Sequence, residues 1–469
     1  MQKKRFIINV FTITSSMIVI RIAGMISNIY ISAKAGANAM GIYHMIFSVF
    51  IFGITFSSSG AGFAATILIS QNKSDEKNII SKCLLISTTM SIVGFCVFFW
   101  GGSMFEKLFI RQSGTAKALQ LLAFALPCMA TSSVYRGYFI AKRKAVVITV
   151  SSLLEEFVCI FATLFLLGKY AGSPDSYMCL IWGCSLSNFS AFIFDSLIYK
   201  VCSSKATRLV PEVKLKNVLS ICVPIALGSY LRTGLVSVEN LLIPTQFAKY
   251  GIEDPVSEYG IIKAMALSVI MFPTVFIQSF SSMLVPEMSE MNASGRKNGI
   301  RYVSNLSVKT VMMFSFYIAL MLFCHHDAIS RMLFKEAKVS YYLGMLSLLA
   351  IPMYLDTVAD SMLKGLGLQN ACLKYNIIDS ALRVIAMVLF MPGYGPVFYI
   401  AMLYISEIFN LSLSLGKASK ITGLKINWFD CIILPVACFT LAYFFKSPFL
   451  QSLIYIMSYL TISKLKKSS

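Results

Sequence analysis

The chain has 469 residues, of which 57% are hydrophobic and 13% charged, and its mean hydropathy is +0.74. Soluble globular domains contain about 45–50% apolar and about 25% charged residues, so the composition excludes a soluble fold. The formal net charge of +20 would suggest nucleic-acid binding in a soluble protein. No zinc finger, Gly-rich RNA-binding motif or basic-aromatic platform occurs, so we expect no nucleic-acid partner.

Apolar segments long enough to cross a bilayer follow one another along almost the whole chain. A membrane-spanning helix needs about 20 apolar residues, whereas a transmembrane barrel shows alternating stretches of about ten. The sequence therefore predicts an all-α polytopic membrane protein with about 14 transmembrane helices. They are expected at residues 6–31, 41–69, 79–100, 117–140, 145–167, 176–199, 217–243, 257–285, 302–324, 340–363, 371–391, 394–415, 428–445 and 447–463.

The distribution of basic residues predicts the orientation. The first apolar segment follows basic residues, as in a signal peptide, but it is too long, contains Arg21 and lacks a small-residue cleavage site. Cytoplasmic loops carry an excess of Lys and Arg. With the N-terminus inside, about 25 of the 41 basic residues are cytoplasmic, including those at 142–144 and 200–216. We predict a multi-pass protein of the plasma membrane with both termini in the cytoplasm, in contact with anionic lipids.

The two halves of the chain share a sequence pattern. A Leu-Phe pair is followed eighteen residues later by Pro127 in one half and by Pro352 in the other. Arg136-Gly137 matches Lys364-Gly365, and Arg21 matches Arg232, although Leu-rich helices also align by chance. The pattern predicts two six-helix lobes of the same direction. We expect an N-lobe at 1–202, a basic linker at 203–216, a C-lobe at 217–416, and a helix pair with a basic tail at 417–469.

Charged residues inside membrane-spanning segments are candidate functional residues, because burying them costs several kcal/mol unless they face a cavity or a partner. Arg21 and Arg232 lie deep in the first helix of their halves, where both could point into a shared cavity. A guanidinium group there suits bidentate binding of phosphate or pyrophosphate. An ion pair is the alternative, with Glu239 as a partner one helical repeat from Arg232.

Other charged residues have structural and functional interpretations side by side. Glu155 corresponds to Arg383 in the repeat, which predicts either a charge pair across the halves or a proton relay. Asp356 and Asp360 lie one helical turn apart and could line the cavity or bind a coupling cation. Arg136 at the inner mouth could set topology or contact an anionic head group.

Cofactor-dependent and covalent chemistry are not indicated. The twelve cysteines lie mostly in apolar segments without a CxxC pair, which is typical of small buried hydrophobic residues. We expect no metal site and no cofactor, with Na⁺ or H⁺ as the only ion to consider for coupling. No nucleotide-binding loop, nucleophile elbow or HExxH motif occurs, so an enzyme is not expected.

Several motifs resemble a known family of membrane transporters. They are the Arg21-centred first helix, SSSGAGFAATILIS up to Ser70, RGYF at 136–139, LVPEMSE at 284–290 and KGLG at 364–367. Together they resemble the multidrug/oligosaccharidyl-lipid/polysaccharide (MOP) exporter superfamily, in its polysaccharide biosynthesis branch of stage V sporulation protein B and relatives of MviN-type lipid II flippases.

The resemblance implies a V-shaped body of two six-helix lobes around a central cavity. It also implies a flippase that moves a polyprenyl-pyrophosphate-linked oligosaccharide or peptidoglycan precursor to the outer leaflet by alternating access. Arg21 and Arg232 match the arginines that line the cavity in related lipid II flippases; the role of Arg136 is less defined.

Two alternative functions remain open at this stage. A cation-coupled multidrug antiporter of the sister branch would want a carboxylate in the first lobe to attract a cation, and the first helix has Arg21 and no acid, which argues against it. A non-transporting scaffold could instead recruit glycosyltransferases or polymerases of the cell envelope.

Overall fold

The computed structural model describes residues 2–468 except 59, 71–74, 143, 171–174, 204–212, 335, 425–428 and 446. The side chains of 2–18, 20, 21, 25, 109, 145, 282, 460 and 462–468 also lie outside the described set. Throughout the described ranges the secondary structure is helical, without a strand. The predicted all-α polytopic class is confirmed.

Eight helices make up the first half of the chain. They are α1 (Gln2–Ser58), α2 (Ala61–Ser70), α3 (Glu76–Phe105), α4 (Thr115–Ala123), α5 (Ala125–Ala141), α6 (Ala145–Tyr170), α7 (Tyr177–Ser203) and α8 (Leu215–Tyr250).

Nine further helices follow. They are α9 (Pro255–Gly260), α10 (Leu267–Met271), α11 (Thr274–Ala293), α12 (Lys297–Leu333), α13 (Ala337–Leu346), α14 (Ala350–Gly365), α15 (Gln369–Thr422), α16 (Leu434–Tyr443) and α17 (Pro448–Ser468).

Within the part of the chain that the structure describes, nine helical stretches are long and apolar enough to cross a membrane. A tenth is obtained if the bent pair Pro255–Met271 and Thr274–Ala293 counts as one. Two of the nine contain more than one predicted crossing, because glycines interrupt them with positive φ angles: Gly36 in α1 and Gly395 in α15. The total of about 14 crossings stays a prediction.

The chain forms two compact units. The N-terminal unit comprises Met1–Thr245 and Asp254–Gly260, and the C-terminal unit comprises Gln246–Glu253 and Ile261–Ser469. Most of α8, including Arg232, therefore belongs to the N-terminal unit. The predicted lobe boundaries at 202 and 217 follow the repeat rather than these contacts, and they stay a prediction.

Small residues allow close helix packing in the N-terminal unit. A Cβ atom on Gly62 would lie 2.6 Å from the carbonyl oxygen of Ser133, and one on Gly137 would overlap the carbonyl of Gly62. Two helix backbones at this distance make dispersion and weak polar contacts with each other, and such contacts drive helix association in membranes. Gly62 of the SSSGAG stretch is thus explained by packing of α2 against α5.

The C-terminal helix pair packs on α12 through polar contacts inside an apolar surface. Tyr455 donates to the carbonyl of Met313 (2.9 Å), and the hydroxyls of Tyr317 and Ser452 lie 2.8 Å apart. Lys309 and Asp430 form an ion pair at 3.4 Å. Polar contacts between membrane helices are each worth about 0.6–2 kcal/mol, so these contacts fix the position of the pair on α12.

We expect Gly395→Ala to destabilise the protein by about 1–3 kcal/mol, because Gly395 has a φ of 59° and ψ of −142° that side-chain-bearing residues avoid. Its Cβ would also lie 2.6 Å from the ring of Tyr250. Gly393→Ala is the control, since a Cβ there meets nothing within 4 Å. Thermal unfolding in one detergent measures both variants. Equal melting temperatures for the two would contradict the prediction.

Candidate functional site

A buried ion-pair network connects three helices of the N-terminal unit. On α5, Arg136 donates from Nη2 to Glu155 Oε2 (2.6 Å) and from Nε to Asp195 Oδ2 (3.1 Å). Its Nη2 also lies 3.1 Å from Ser151 Oγ. Ser151 and Glu155 are one turn apart on α6 and therefore share a face, while Asp195 comes from α7. The network holds α5, α6 and α7 together.

The network contains more carboxylates than cations. Asp195 is 0% exposed, and its Oδ1 has no hydrogen-bond partner among the described residues. Two carboxylates face the single guanidinium of Arg136, whose polar atoms are engaged within its own unit. This geometry makes Arg136 a structural cation of the lobe. Its predicted contact with a substrate head group stays a prediction.

Two cavities lie beside this network within the N-terminal unit. Their volumes are about 280 and about 390 Å³, and both are lined by Ile54, Met129, Glu155 and Asn188. The smaller one also contacts Arg136, and the larger one also contacts Glu156. The two cavities share four lining residues and are therefore adjacent. Glu155 lies between them, with the cation Arg136 beside the smaller cavity and a second acid, Glu156, beside the larger one.

Contacts between α8 and α1 determine the orientation of Arg232. Tyr230 donates to the carbonyl of Phe56 (3.2 Å), and Ser237 donates to that of Ser48 (2.6 Å). At 100° per residue these positions share one face of α8, so residue 232 lies on the opposite face. Its side chain is exposed.

The other residues of the predicted anion site differ in environment. Glu239 lies on the same side of α8 as Arg232, but it is only 2% exposed. The side chain of Arg21 lies outside the described residues. The predicted pairing of Arg21 and Arg232 around an anion therefore stays a prediction.

The C-terminal unit contains a second network, between α14 and α15. Asn410 Nδ2 donates to Asp356 Oδ2 (3.0 Å), and Ser414 donates to Asp360 Oδ1 (3.1 Å). Lys364 lies 3.5 Å from the other oxygen of Asp360. Asp356 Oδ1 and Asn410 Oδ1 are buried without a hydrogen-bond partner in the described part of the chain, and Asn410 is only 6% exposed.

This network extends along α15. Arg383 Nε lies 3.3 Å from Asp379 Oδ2, and Ser406 donates to Asp379 Oδ1 (2.7 Å). Glu407 is close enough to Arg383 and Asp379 to interact with both electrostatically. Arg383 forms an ion pair with a carboxylate of its own unit, and Glu155 likewise forms one with Arg136 of its own unit. The predicted pair between Glu155 and Arg383 would join the two units and stays a prediction.

The two networks occupy corresponding positions of the internal repeat. Arg136 corresponds to Lys364, Ser151 to Asp379 and Glu155 to Arg383, with 228 residues between the members of each pair. Ion pairs are made by Arg136 of α5 in the N-terminal unit, and by Lys364 of α14 and Arg383 of α15 in the C-terminal unit. Both networks nevertheless connect the same three consecutive crossings of their half.

The sequence prediction left several residues of these networks out of the site, among them Asp195, Asp379 and Asn410. Asp195 and Asp379 are acids within apolar helices, and this position in the sequence is enough to indicate them as candidate site residues. Asn410 carries no charge, so only its contact with Asp356 reveals it.

Comparison with solved structures identifies the fold. Lipid II flippase MurJ, in an inward closed conformation, matches with a TM-score of 0.70 and 15% identity over 97% of this chain and 98% of that chain. An inward-facing multidrug resistance MATE family transporter of the MOP superfamily matches with a TM-score of 0.67 and 12% identity over 87% and 100%. The chain has the fold of MOP-superfamily transporters.

Sequence comparison identifies relatives of this chain more specifically. Residues 6–232 match the model of the polysaccharide biosynthesis protein family. Stage V sporulation protein B of Bacillus subtilis (strain 168) is 20% identical over 82% of this chain and 77% of that protein. These matches confirm the resemblance that the motifs predict: to the polysaccharide biosynthesis family and stage V sporulation protein B in sequence, and to MOP-superfamily transporters in fold.

We expect Arg136→Gln to destabilise the protein by about 3–5 kcal/mol, because it leaves the fully buried Asp195, and the partly buried Glu155, without their cation. Adding Asp195→Asn should recover part of this loss, since one uncompensated carboxylate is then removed. Thermal unfolding of the purified variants measures both effects.

Lys142→Gln is the control, because Lys142 pairs with the partly exposed Glu76, whereas Arg136 also pairs with the fully buried Asp195; the pair of Lys142 should contribute at most about 1 kcal/mol. Arg136→Gln as stable as this control would show that the network is dispensable for folding.

Proposed function

We propose that this protein is a flippase. It moves a polyprenyl-pyrophosphate-linked oligosaccharide or peptidoglycan precursor from the cytoplasmic to the outer leaflet of the plasma membrane by alternating access, without covalent chemistry. Both termini are cytoplasmic in this proposal. Its partners are the anionic lipid-linked saccharide, membrane lipids and the glycosyltransferases or polymerases that make and consume that saccharide.

One observation carries this proposal. The segment that matches the polysaccharide biosynthesis family, residues 6–232, includes both Arg21 and Arg232, and both belong to the N-terminal unit. A pyrophosphate has several anionic oxygens, which two guanidinium groups can bind with paired hydrogen bonds. The exposed position of Arg232, on the face of α8 turned away from α1, keeps that guanidinium accessible to a ligand.

A multidrug antiporter is the second candidate function, and one observation favours it. The first helix has no acid, but Glu156 of α6 lies against Gly24 of that helix. A carboxylate is therefore present next to the first helix, although the sequence of that helix lacks one. The MATE multidrug transporter DinF-BH has the same fold, with a TM-score of 0.65 and 15% identity over 89% of this chain and 96% of that chain.

We further propose that a coupling ion, Na⁺ or H⁺, binds in the C-terminal unit at Asp356 and Asn410. Each has a buried oxygen without a hydrogen-bond partner in the described ranges. Asp356, Asp360, Asp379 and Glu407 outnumber the cations Lys364 and Arg383 by two. Since uncompensated buried charge is costly, a bound Na⁺ or a proton would stabilise this arrangement. Asp360 already has Lys364 and Ser414 as partners.

Arg21→Ala with Arg232→Ala should lower translocation of a fluorescent polyprenyl-pyrophosphate saccharide in proteoliposomes at least about tenfold, because phosphate contacts of arginine are each worth about 1.5–3 kcal/mol. Arg331→Ala, an exposed arginine of α12, is the control. Substrate accumulation in cells gives a second measurement. Undiminished translocation by the double variant would reject the arginine site. Drug efflux without any lipid translocation by the wild type would favour the antiporter, and absence of both would favour a scaffold.

Asp356→Asn should abolish the dependence of transport on the ion gradient while leaving the protein folded. Transport is measured in proteoliposomes with an imposed Na⁺ gradient or an imposed pH gradient, which distinguishes the two ions. The control is Asp175→Asn in the exposed turn before α7. A gradient dependence that persists in Asp356→Asn contradicts the proposed ion site.

A further inference from the structure

The larger cavity of the N-terminal unit has features that the pyrophosphate site does not use. Its volume is about 390 Å³, which exceeds the roughly 30 Å³ that one water molecule occupies in the liquid by more than tenfold. Its lining combines acids, amides and aromatic rings. These include Asn28, Tyr43, Phe47, Glu155, Glu156 and Asn188.

Two carboxylates, those of Glu155 and Glu156, and the imidazole of His44 line this cavity. Glu155 pairs with Arg136 at 2.6 Å. Glu156 is therefore the carboxylate of this cavity that has no cation partner among the described residues. Glu156 has no hydrogen bond or ion pair with any side chain in the described ranges, and its carboxylate occupies space that a Cβ on Gly24 would fill. The glycine of the first helix thus makes room for an acid that extends from α6.

Aromatic rings lie in the same cavity. Tyr43 and Phe47 stack with their ring centroids 5.4 Å apart and an interplanar angle of 21°, and Phe50 follows at 6.1 Å from Phe47. Ring faces attract cations, and a carboxylate adds a charged hydrogen-bond acceptor. Asn28 and Asn188 supply amide groups that could bind hydroxyls.

The size and the ligand set argue for an organic cation over a bare metal ion. A metal ion needs several oxygen or nitrogen ligands converging on one point, and the described residues contain no group of three or more His, Cys, Asp or Glu side chains that could provide this. A sugar ring or short side chain bearing an ammonium group would use the acid, the rings and the volume together.

We propose that this cavity binds an organic ammonium group through Glu156. The group is carried either by the lipid-linked saccharide or by a free organic amine, and the first source rests on the proposed flippase function. In that case the cavity would select substrates with an unmodified amine, separately from the pyrophosphate that all of them share.

The binding test uses purified full-length protein in nanodiscs and two probes, methyl glucosaminide and its N-acetylated form. Calorimetry should give at least about tenfold tighter binding of the free amine, and Glu156→Gln should reduce that preference to about twofold or less. The control is Glu290→Gln, the same change at an exposed acid of the C-terminal unit, which should keep the preference. Equal binding of both probes by the wild type, or an unchanged preference in Glu156→Gln, overturns the proposal.

A second measurement needs no variant and does not depend on how Glu156→Gln folds. Carbodiimide labelling of the wild type, read out by peptide mass spectrometry, should modify Glu156 less when methyl glucosaminide is present, whereas Glu290 should label equally with and without it. Absence of protection at Glu156 contradicts the proposal.

Transport assays distinguish the two sources of the amine. Proteoliposomes are supplied with polyprenyl-pyrophosphate saccharides that differ only in N-acetylation. A faster rate for the free amine, lost in Glu156→Gln, assigns the site to the lipid-linked substrate, whereas equal rates together with probe binding assign it to a free amine. If neither lipid is translocated, the flippase proposal fails, and the probe and labelling experiments still decide whether the cavity binds an amine.

Discussion

The cost of burying charge in a bilayer is the constraint on which this structure depends. An ionised side chain at the middle of a membrane helix costs about 2.5–3.5 kcal/mol by insertion scales, yet the helices carry many such residues. The structure offsets this cost by pairing charges within each unit. Arg136 binds Glu155 and Asp195, and Arg383 binds Asp379. Since the pairs of Arg136 join three helices, they help to determine how the crossings of the N-terminal unit pack.

Pairing is incomplete in both units, and the imbalance has the same sign. The N-terminal network has two carboxylates for one guanidinium, with Glu156 as a further acid nearby. The C-terminal network has four carboxylates for two cations. Apolar packing gives no reason to keep an excess of buried acid, because an apolar residue of similar size would be less costly at each position. A ligand cation gives such a reason, and the two units would then bind different cations.

The sequence predicted the membrane fold well, because the evidence for it is local. Twenty apolar residues form a helix in lipid whatever their neighbours, since every backbone group must be hydrogen-bonded within the segment. The boundaries were less accurate where helices join. At Gly36 and at Gly395 a single residue with a positive φ angle interrupts the helix, without a loop. Helices α1 and α15 therefore each continue past a predicted end.

The sites were less predictable, because a side chain's partner depends on three-dimensional contacts. The repeat aligned Glu155 with Arg383 and so suggested that they pair, but each has an ion-pair partner within its own unit. In the same way, the first helix has Arg21 and no acid, which argued against an antiporter. Glycine changes that argument: Gly24 has no side chain, and Glu156 from α6 occupies the vacant space.

The predicted internal repeat would explain how one fold can carry the two cation sites proposed above. Duplicated halves begin with equivalent networks on equivalent helices, and substitutions then alter each network separately. In the N-terminal unit Arg136 pairs with acids on two neighbouring helices, whereas in the C-terminal unit Arg383 pairs with Asp379 of its own crossing, and Ser406 and Asn410 make the contacts between crossings. The acids without a cation partner therefore also differ: Glu156 near the first helix in one unit, and Asp356 beside Asn410 in the other. A transporter needs such a difference, since a site that recognises cargo and a site that binds a coupling ion must respond to different ligands.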